Sequence, residues 1–229
     1  MMNTKILTVP GFHGSDDQHW QTWLEQQFPE SERLTGVDWE TPALFTWSEA
    51  LEKQLDSISG QVILVAHSFG CLVSAVIASW RPEKVVGVIL VAPAAPERFA
   101  LYGPINDSQN TLQTIAACMP DRHLNTLGVV VASKNDPWMP LVQADQLSRD
   151  WGLAFYNAGN AGHINSASGY GQWPLIKDFV LAMLDAVEPL PGDEVYQLGN
   201  WNNSRKRQLP RTYPTINTVA INNTFLHYA

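Results

Sequence analysis

The sequence predicts one α/β domain built on a mostly parallel β-sheet with helices on both faces. Apolar segments of strand length alternate along the chain with segments of helical period, which is the pattern of a parallel sheet with helical crossovers. The chain has 229 residues, of which 45% are hydrophobic and 16% are charged, so it can bury a large core.

Six strands and five helices follow from the local patterns. The strands are expected near residues 4–9, 33–39, 61–66, 85–91, 127–132 and 153–157. The helices are expected over residues 19–24, capped by Asp16 or Asp17, and over residues 47–57, 69–80, 140–150 and 174–187. A capping box at residues 46–49 opens the second helix, Pro82 follows the third, and Pro140 begins the fourth.

The third strand runs straight into the turn Ala66-His67-Ser68-Phe69-Gly70 and then into an apolar helix. A strand that reverses into a helix strains the turn residue, so the residues two positions away must be small, as Ala66 and Gly70 are. Ser68 is therefore expected to stand at the sheet edge as a nucleophile, above the free N–H groups of the helix. The other interpretation is an ordinary helix-capping serine.

A serine nucleophile of this type needs an acid and then a histidine, each after a later strand. Asp136 follows the strand near 127–132, and His163 ends the glycine-rich loop after the strand near 153–157. Asp107 is the alternative acid. His67 is a weaker alternative base, because its side chain should point away from Ser68 on such a turn.

Four separated motifs resemble the small α/β-hydrolases of the retinoblastoma-binding protein 9 or YdeN-like family. They are the segments 9–15 (VPGFHGS), 66–71 (AHSFGC), 132–137 (ASKNDP) and 162–165 (GHIN), together with His19-Trp20 and Trp173-Pro174. The resemblance implies an α/β-hydrolase fold with strand order 2-1-3-4-5-6. It also implies a serine hydrolase with Ser68, Asp136 and His163 as its triad.

An oxyanion hole needs two backbone N–H donors, one after the nucleophile and one in the loop after the first strand. These are Phe69 and Phe12, with His13 as the alternative to Phe12. We expect His13, Trp138 and Trp173 at the substrate pocket, although both tryptophans could equally be core residues.

No cofactor or metal is expected. The acidic and histidine residues near the first loop, His13, Asp16, Asp17 and His19, have the spacing of no standard metal site. Cys71 and Cys118 show neither metal nor redox spacing, and Cys71 is expected in the core.

The predicted chemistry requires a small acyl substrate as partner, and composition disfavours two other classes of partner. The net charge of −8 disfavours nucleic acid and anionic membranes, and no apolar run is long enough to span a bilayer. The chain begins without a signal-peptide pattern, so a cytoplasmic location is expected.

Two segments stand outside the repeating pattern. Residues 94–126 are too long for a plain connection, and form either a short cap over the site or a long crossover helix. Residues 190–229 lack both hydrophobic periods, so we expect a hydrolase domain over residues 1–189 and a disordered or non-native C-terminal extension over 190–229.

The predicted function is hydrolysis of a carboxylic ester or related acyl bond through an acyl-enzyme on Ser68. The alternative is a non-catalytic α/β-hydrolase scaffold that binds a protein or a ligand, which the fold alone would permit.

Overall fold

The computed structural model describes residues 4–105 and 114–187 of the chain. Their central element is a six-stranded, fully parallel sheet in the order β2-β1-β3-β4-β7-β8. Its strands are β1 Thr4–Val9, β2 Glu32–Arg33, β3 Gln61–His67, β4 Val85–Val91, β7 Leu127–Ala132 and β8 Ala154–Asn157. The predicted fold class and strand order are therefore confirmed.

Among the described residues, five α-helices cover the sheet, and a hairpin with two-residue strands stands apart from it. The helices are α1 Trp20–Gln27, α2 Leu44–Ser57, α3 Phe69–Trp80, α4 Leu141–Asp150 and α5 Pro174–Val187. The hairpin pairs β5 Phe99–Ala100 with β6 Gly103–Pro104.

Alternate residues of the central strands pack into two separate cores, because successive side chains of a strand point to opposite faces. In β3, Leu64 belongs to the core beneath α2, α3 and α4, whereas Ile63 and Val65 belong to the core beneath α1 and α5. The four inner strands, β1, β3, β4 and β7, are buried along most of their length, which explains their nearly continuous apolar sequence.

Local differences from the predictions lie at element ends. The second strand is only two residues long, because Gly36 adopts a left-handed φ of 78° and ends the extended chain. Helix α2 begins at Leu44, ahead of the predicted capping box, and Ala43 at its N-cap makes no side-chain hydrogen bond. His19, and neither Asp16 nor Asp17, caps α1: its Nδ1 accepts the Gln21 N–H.

The described parts of segment 94–126 contain no long crossover helix. Two short 3₁₀ turns, Pro96–Arg98 and Ile115–Cys118, flank the β5–β6 hairpin. Residues 106–113, which include the alternative acid Asp107, lie outside the described residues. The predicted extension over 190–229 lies outside them as well.

Candidate active site

Ser68 occupies a strained turn between β3 and α3. Its φ of 53° and ψ of −121° lie far from the ordinary regions for a residue with a side chain. Its N–H donates to the Val91 carbonyl at 3.1 Å, which ties the turn to β4. The sequence pattern thus predicted the strained backbone as well as the position of the serine.

Two glycines let the first loop approach this turn. A Cβ on Gly70 would lie 2.3 Å from the Val9 carbonyl oxygen and 2.4 Å from that of Pro10. A Cβ on Gly11 would lie 2.7 Å from the Cβ of Ser68. Any larger residue at either position would push the loop away from the serine.

The three predicted side chains Ser68, His163 and Asp136 lie in hydrogen-bond contact. His163 Nε2 is 2.9 Å from Ser68 Oγ, and His163 Nδ1 is 2.9 and 3.0 Å from the two carboxylate oxygens of Asp136. An ionised carboxylate can only accept, so Nδ1 carries the proton and Nε2 accepts the Ser68 hydroxyl proton. This arrangement can draw a proton from Ser68 as its oxygen attacks.

Backbone and side-chain donors hold Asp136 in place. Its Oδ1 accepts the Trp138 N–H at 2.8 Å. The preceding residue, Asn135, accepts the Ser133 hydroxyl and the Gly162 N–H through its Oδ1, each at 2.8 Å. The acid loop is thereby joined to the loop that carries His163.

Both backbone groups of His163 are also engaged. Its N–H donates to Ser168 Oγ at 3.1 Å, and Ser168 in turn donates to Asn165 Oδ1 at 2.9 Å. Its carbonyl accepts from His67 Nε2 at 2.9 Å.

The neighbouring histidines are buried and electrically neutral. Burial lowers the pKa of His19 to about 4, and burial together with repulsion from His163 and His19 holds the pKa of His67 well below its usual range. The His67 ring nitrogen Nε2 is turned to the His163 carbonyl, so the structure gives this residue no role as base for Ser68.

A cavity of about 210 Å³ opens beside Ser68 and His163. Its apolar wall is formed by Phe12, Phe99 and Trp138. Its polar wall is formed by His13, Asp16, His19, His67, Asn165 and Ser166. The hydroxyl of Ser166 donates to Asp16 and lowers the pKa of that carboxyl, so the polar wall carries a negative charge.

Of the three predicted pocket residues, the cavity takes in two. Trp138 and His13 line it, and His13 also lies 2.8 Å from Glu40 at the surface. Trp173 instead packs edge-on against Trp20 and Tyr170 in the core beneath α1 and α5. Its position soon after His163 in the sequence does not bring it to the cavity, because the chain has already turned towards α5.

The predicted backbone donors lie where α3 and the first loop meet. Phe69 is the first residue of α3, and Phe12 lies in a turn closed by the Gly14 N–H and the Gly11 carbonyl at 2.9 Å. The His13 N–H donates to the Trp39 carbonyl at 2.9 Å. That bond leaves Phe12 as the better donor of the two alternatives.

The first-loop acids and histidines do not assemble a metal site. Throughout residues 4–105 and 114–187, no three histidine, cysteine or acidic side chains are grouped so that they could hold a metal ion.

Cys71 is buried, its Sγ lies 3.3 Å from the Val91 carbonyl, and burial raises its thiol pKa well above the usual range. No helix in these two ranges has the length and apolarity to cross a membrane.

Sequence reasoning missed the residues that brace the loops. Ser133, Asn135, Asn165 and Ser168 all lie within five residues of a predicted triad member, and each can bond nearby backbone. Their closeness in sequence to the predicted triad is the signal by which these residues could have been found. Phe99 had no such signal, since it reaches the cavity only through the hairpin after β4.

The chain is similar to known proteins over most of its length. The family profile described as "Serine hydrolase" matches residues 6–182. YdeN of Bacillus subtilis (strain 168), which is named as a hydrolase, is 22% identical over 183 residues, covering 77% of this chain and 94% of YdeN.

Solved structures show the same fold. A YdeN-like hydrolase from Pectobacterium atrosepticum is 30% identical, with a TM-score of 0.73, over 82% of this chain and 94% of that one. Est1E of Butyrivibrio proteoclasticus, solved with ferulic acid bound, is 14% identical with a TM-score of 0.59, over 80% of this chain and 90% of that one. The matching profile spans most of the described residues and all three of Ser68, Asp136 and His163, and this chain therefore belongs to the serine hydrolase family.

Proposed function

We propose that the chain hydrolyses carboxylic esters or related acyl bonds of small substrates through an acyl-enzyme on Ser68. The observation that supports this most strongly is the unbroken hydrogen-bonded line from Ser68 Oγ through His163 to Asp136, at 2.9 Å for each link. An acyl hydrolase requires a nucleophile, a base and a group that orients the base, and this line supplies one of each.

The reaction follows from the proton positions. Ser68 Oγ bonds to the substrate carbonyl carbon while its proton passes to His163 Nε2. The tetrahedral intermediate then collapses, the bond to the leaving alkoxide breaks, and His163 returns the proton to that oxygen. A water molecule then gives a proton to His163 as its oxygen attacks the acyl carbon. The bond from that carbon to Ser68 Oγ breaks, His163 returns the proton to Oγ, and the carboxylic acid leaves.

Asp136 stabilises the imidazolium that forms in each half of the reaction. The buried carboxylate accepts from Nδ1 throughout, so His163 keeps the tautomer in which Nε2 faces Ser68. The N–H groups of Phe12 and Phe69 are the proposed donors to the oxyanion, and their stabilisation grows as charge develops on the substrate oxygen.

The cavity favours short substrates. Its volume of about 210 Å³ lies below the roughly 300–1,000 Å³ of typical drug-sized ligand sites. Its apolar wall suits an unbranched alkyl or small aromatic group. Acetate and butyrate esters are therefore better probes than long-chain esters.

The test is labelling with a fluorophosphonate probe, together with hydrolysis of p-nitrophenyl acetate and butyrate. We expect wild-type protein to be labelled and active, and Ser68→Ala to be unlabelled, with kcat lowered by about 10⁴- to 10⁶-fold. Ser74→Ala is the matched control, since Ser74 is a buried serine of α3 whose hydroxyl has no hydrogen-bond partner among the described residues.

Two results would contradict the proposal. A folded Ser68→Ala protein that keeps most of the activity would exclude Ser68 as the nucleophile. Wild-type protein that neither reacts with the probe nor hydrolyses any short ester would favour a binding scaffold.

A further inference from the structure

His67 connects the nucleophile turn to the histidine loop. It is the last residue of β3 and the neighbour of Ser68 in the chain, yet its ring lies 4.8 Å from the ring of His163. Its Nε2 is 2.9 Å from the His163 carbonyl oxygen. Because a carbonyl oxygen only accepts, this nitrogen carries the proton and donates.

The carbonyl that His67 holds belongs to a strained stretch of backbone. Ile164, the next residue, has a φ of 48°, which is a rare conformation for a β-branched side chain. Such strain costs of order 1–3 kcal/mol and persists only where the surroundings enforce it.

Two buried donors enforce it here. His67 holds the carbonyl before Ile164, and the indole Nε1 of Trp20 donates to the carbonyl of Ile164 itself at 2.8 Å. His67 is 4% exposed and Trp20 is fully buried, so water cannot readily replace either donor. Loss of one donor would let the backbone relax towards an ordinary conformation.

We infer that His67 is a positioning residue, whose Nε2–H bond to the His163 carbonyl fixes the strained His163–Ile164 backbone and thereby holds His163 Nε2 against Ser68 Oγ. The inference rests on the proposed role of His163 as the base for Ser68. His67 then influences the positions of both Ser68 and His163. Its backbone leads into the Ser68 turn, and its side chain holds the loop that carries His163.

The geometry favours positioning over simple core packing. An apolar side chain of similar size would fill the same space between His19, Trp20 and His163. It would leave the His163 carbonyl without the donor of a buried hydrogen bond. Reaction rates are sensitive to such shifts, since a displacement of about 1 Å in reacting groups can cost about 100-fold.

The test compares three substitutions with wild type in steady-state kinetics on p-nitrophenyl butyrate. His67→Gln keeps an N–H donor at nearly the reach of Nε2. His67→Asn keeps the amide but is one methylene shorter, so it falls short of the carbonyl. His67→Leu removes the donor.

We expect kcat to fall by about 10- to 100-fold in His67→Asn and His67→Leu, with KM within about threefold of wild type. His67→Gln should recover most of kcat. The split between kcat and KM follows because the apolar lining residues Phe12, Phe99 and Trp138, which would contact the acyl group, stay in place while the base is misplaced.

Trp151→Phe is the control for stability alone. Like His67, Trp151 is a buried ring whose N–H donates to a backbone carbonyl, that of Pro120 at 3.1 Å, and it does not line the Ser68 cavity. It should lower the melting temperature and leave kcat unchanged at temperatures below unfolding.

The inference is overturned if folded His67→Asn or His67→Leu keeps kcat within twofold of wild type. It is also overturned if His67→Gln loses as much as His67→Asn, a comparison that remains available should the leucine variant not fold. These results are distinct from failure of the proposed function, in which Ser68→Ala itself would stay active.

Discussion

Asn135 and Gly162 join the loop of the acid to the loop of the base. The Oδ1 of Asn135 accepts the Gly162 N–H at 2.8 Å, and each residue immediately precedes a member of the proposed triad, Asp136 or His163. Movement of either loop is therefore transmitted to the hydrogen bond between Asp136 and His163.

Asn135→Ala should weaken catalysis because it removes the hydrogen bond between the two loops. The substitution removes the acceptor of the Gly162 N–H and of the Ser133 hydroxyl. We expect kcat to fall by about tenfold and the free energy of unfolding to fall by about 0.5–1.5 kcal/mol, the ordinary net contribution of a hydrogen bond, because Asn135 is exposed and water can replace it as acceptor. Ester hydrolysis and urea unfolding measure the two effects.

Gln54→Ala is the matched control for Asn135→Ala. Gln54 is another side-chain amide that bonds groups of a neighbouring segment, in its case the Thr35 N–H and the Arg33 carbonyl, but it does so beside β2. Unchanged kcat in Asn135→Ala, or an equal loss of kcat in Gln54→Ala, would show that the hydrogen bond between Asn135 and Gly162 has no specific role in catalysis.

Asp136→Asn should keep the fold and slow the reaction by about 10³- to 10⁴-fold at neutral pH. An amide NH₂ facing Nδ1 favours the wrong tautomer of His163, in which Nε2 carries the proton and cannot accept from Ser68. The measurement is kcat for a p-nitrophenyl ester, with circular dichroism as the check on folding. Asp107→Asn, the alternative acid, should retain activity, and the opposite outcome would exchange the two assignments.

Acid should destabilise the protein before its carboxylates titrate. His19 has a pKa of about 4 in the folded state, against about 6.5 when unfolded, and burial lowers the pKa of His67 as well. Above pH 6.5 both histidines are neutral in both states and contribute no pH dependence. Below it the unfolded chain binds protons that the folded chain does not, so the free energy of unfolding falls as pH falls.

The expected loss is up to about 1.4 kcal/mol per pH unit for each histidine, or about 3 kcal/mol for His19 between pH 6.5 and 4. Urea unfolding at pH 7, 6 and 5 measures it. His67→Gln removes one titrating group and should make the decline shallower. Equal stability at pH 7 and pH 5 would mean that these rings take up protons in the folded state.

Removal of residues 190–229 should leave kcat and the melting temperature nearly unchanged. The sequence there lacks a hydrophobic period, and apolar burial stabilises by only about 25 cal/mol per Å². The family profile ends at residue 182, before this segment. Thermal unfolding of the chain ending at residue 189 is the measurement, and a fall of several degrees would show that the extension packs on the domain.

The sequence by itself determined the fold class and the three residues proposed for catalysis, and the resemblance of its motifs to a known family implied the strand order. Strand and turn signals are local, and the C-terminal ends of parallel strands meet at one sheet edge. Residues placed after β3, β7 and β8 therefore had to lie near one another. The strain at Ser68 was likewise readable, since small residues flank it on both sides.

Only the tertiary structure decided how these residues are held and what surrounds them. Whether Trp138 or Trp173 reaches the cavity depends on the path of the chain after each loop, and local pattern does not encode that path. The bond from His67 to His163 joins residues 96 positions apart. Such contacts form only when separate loops converge, because the energy of a long-range hydrogen bond depends on distances that the whole fold sets.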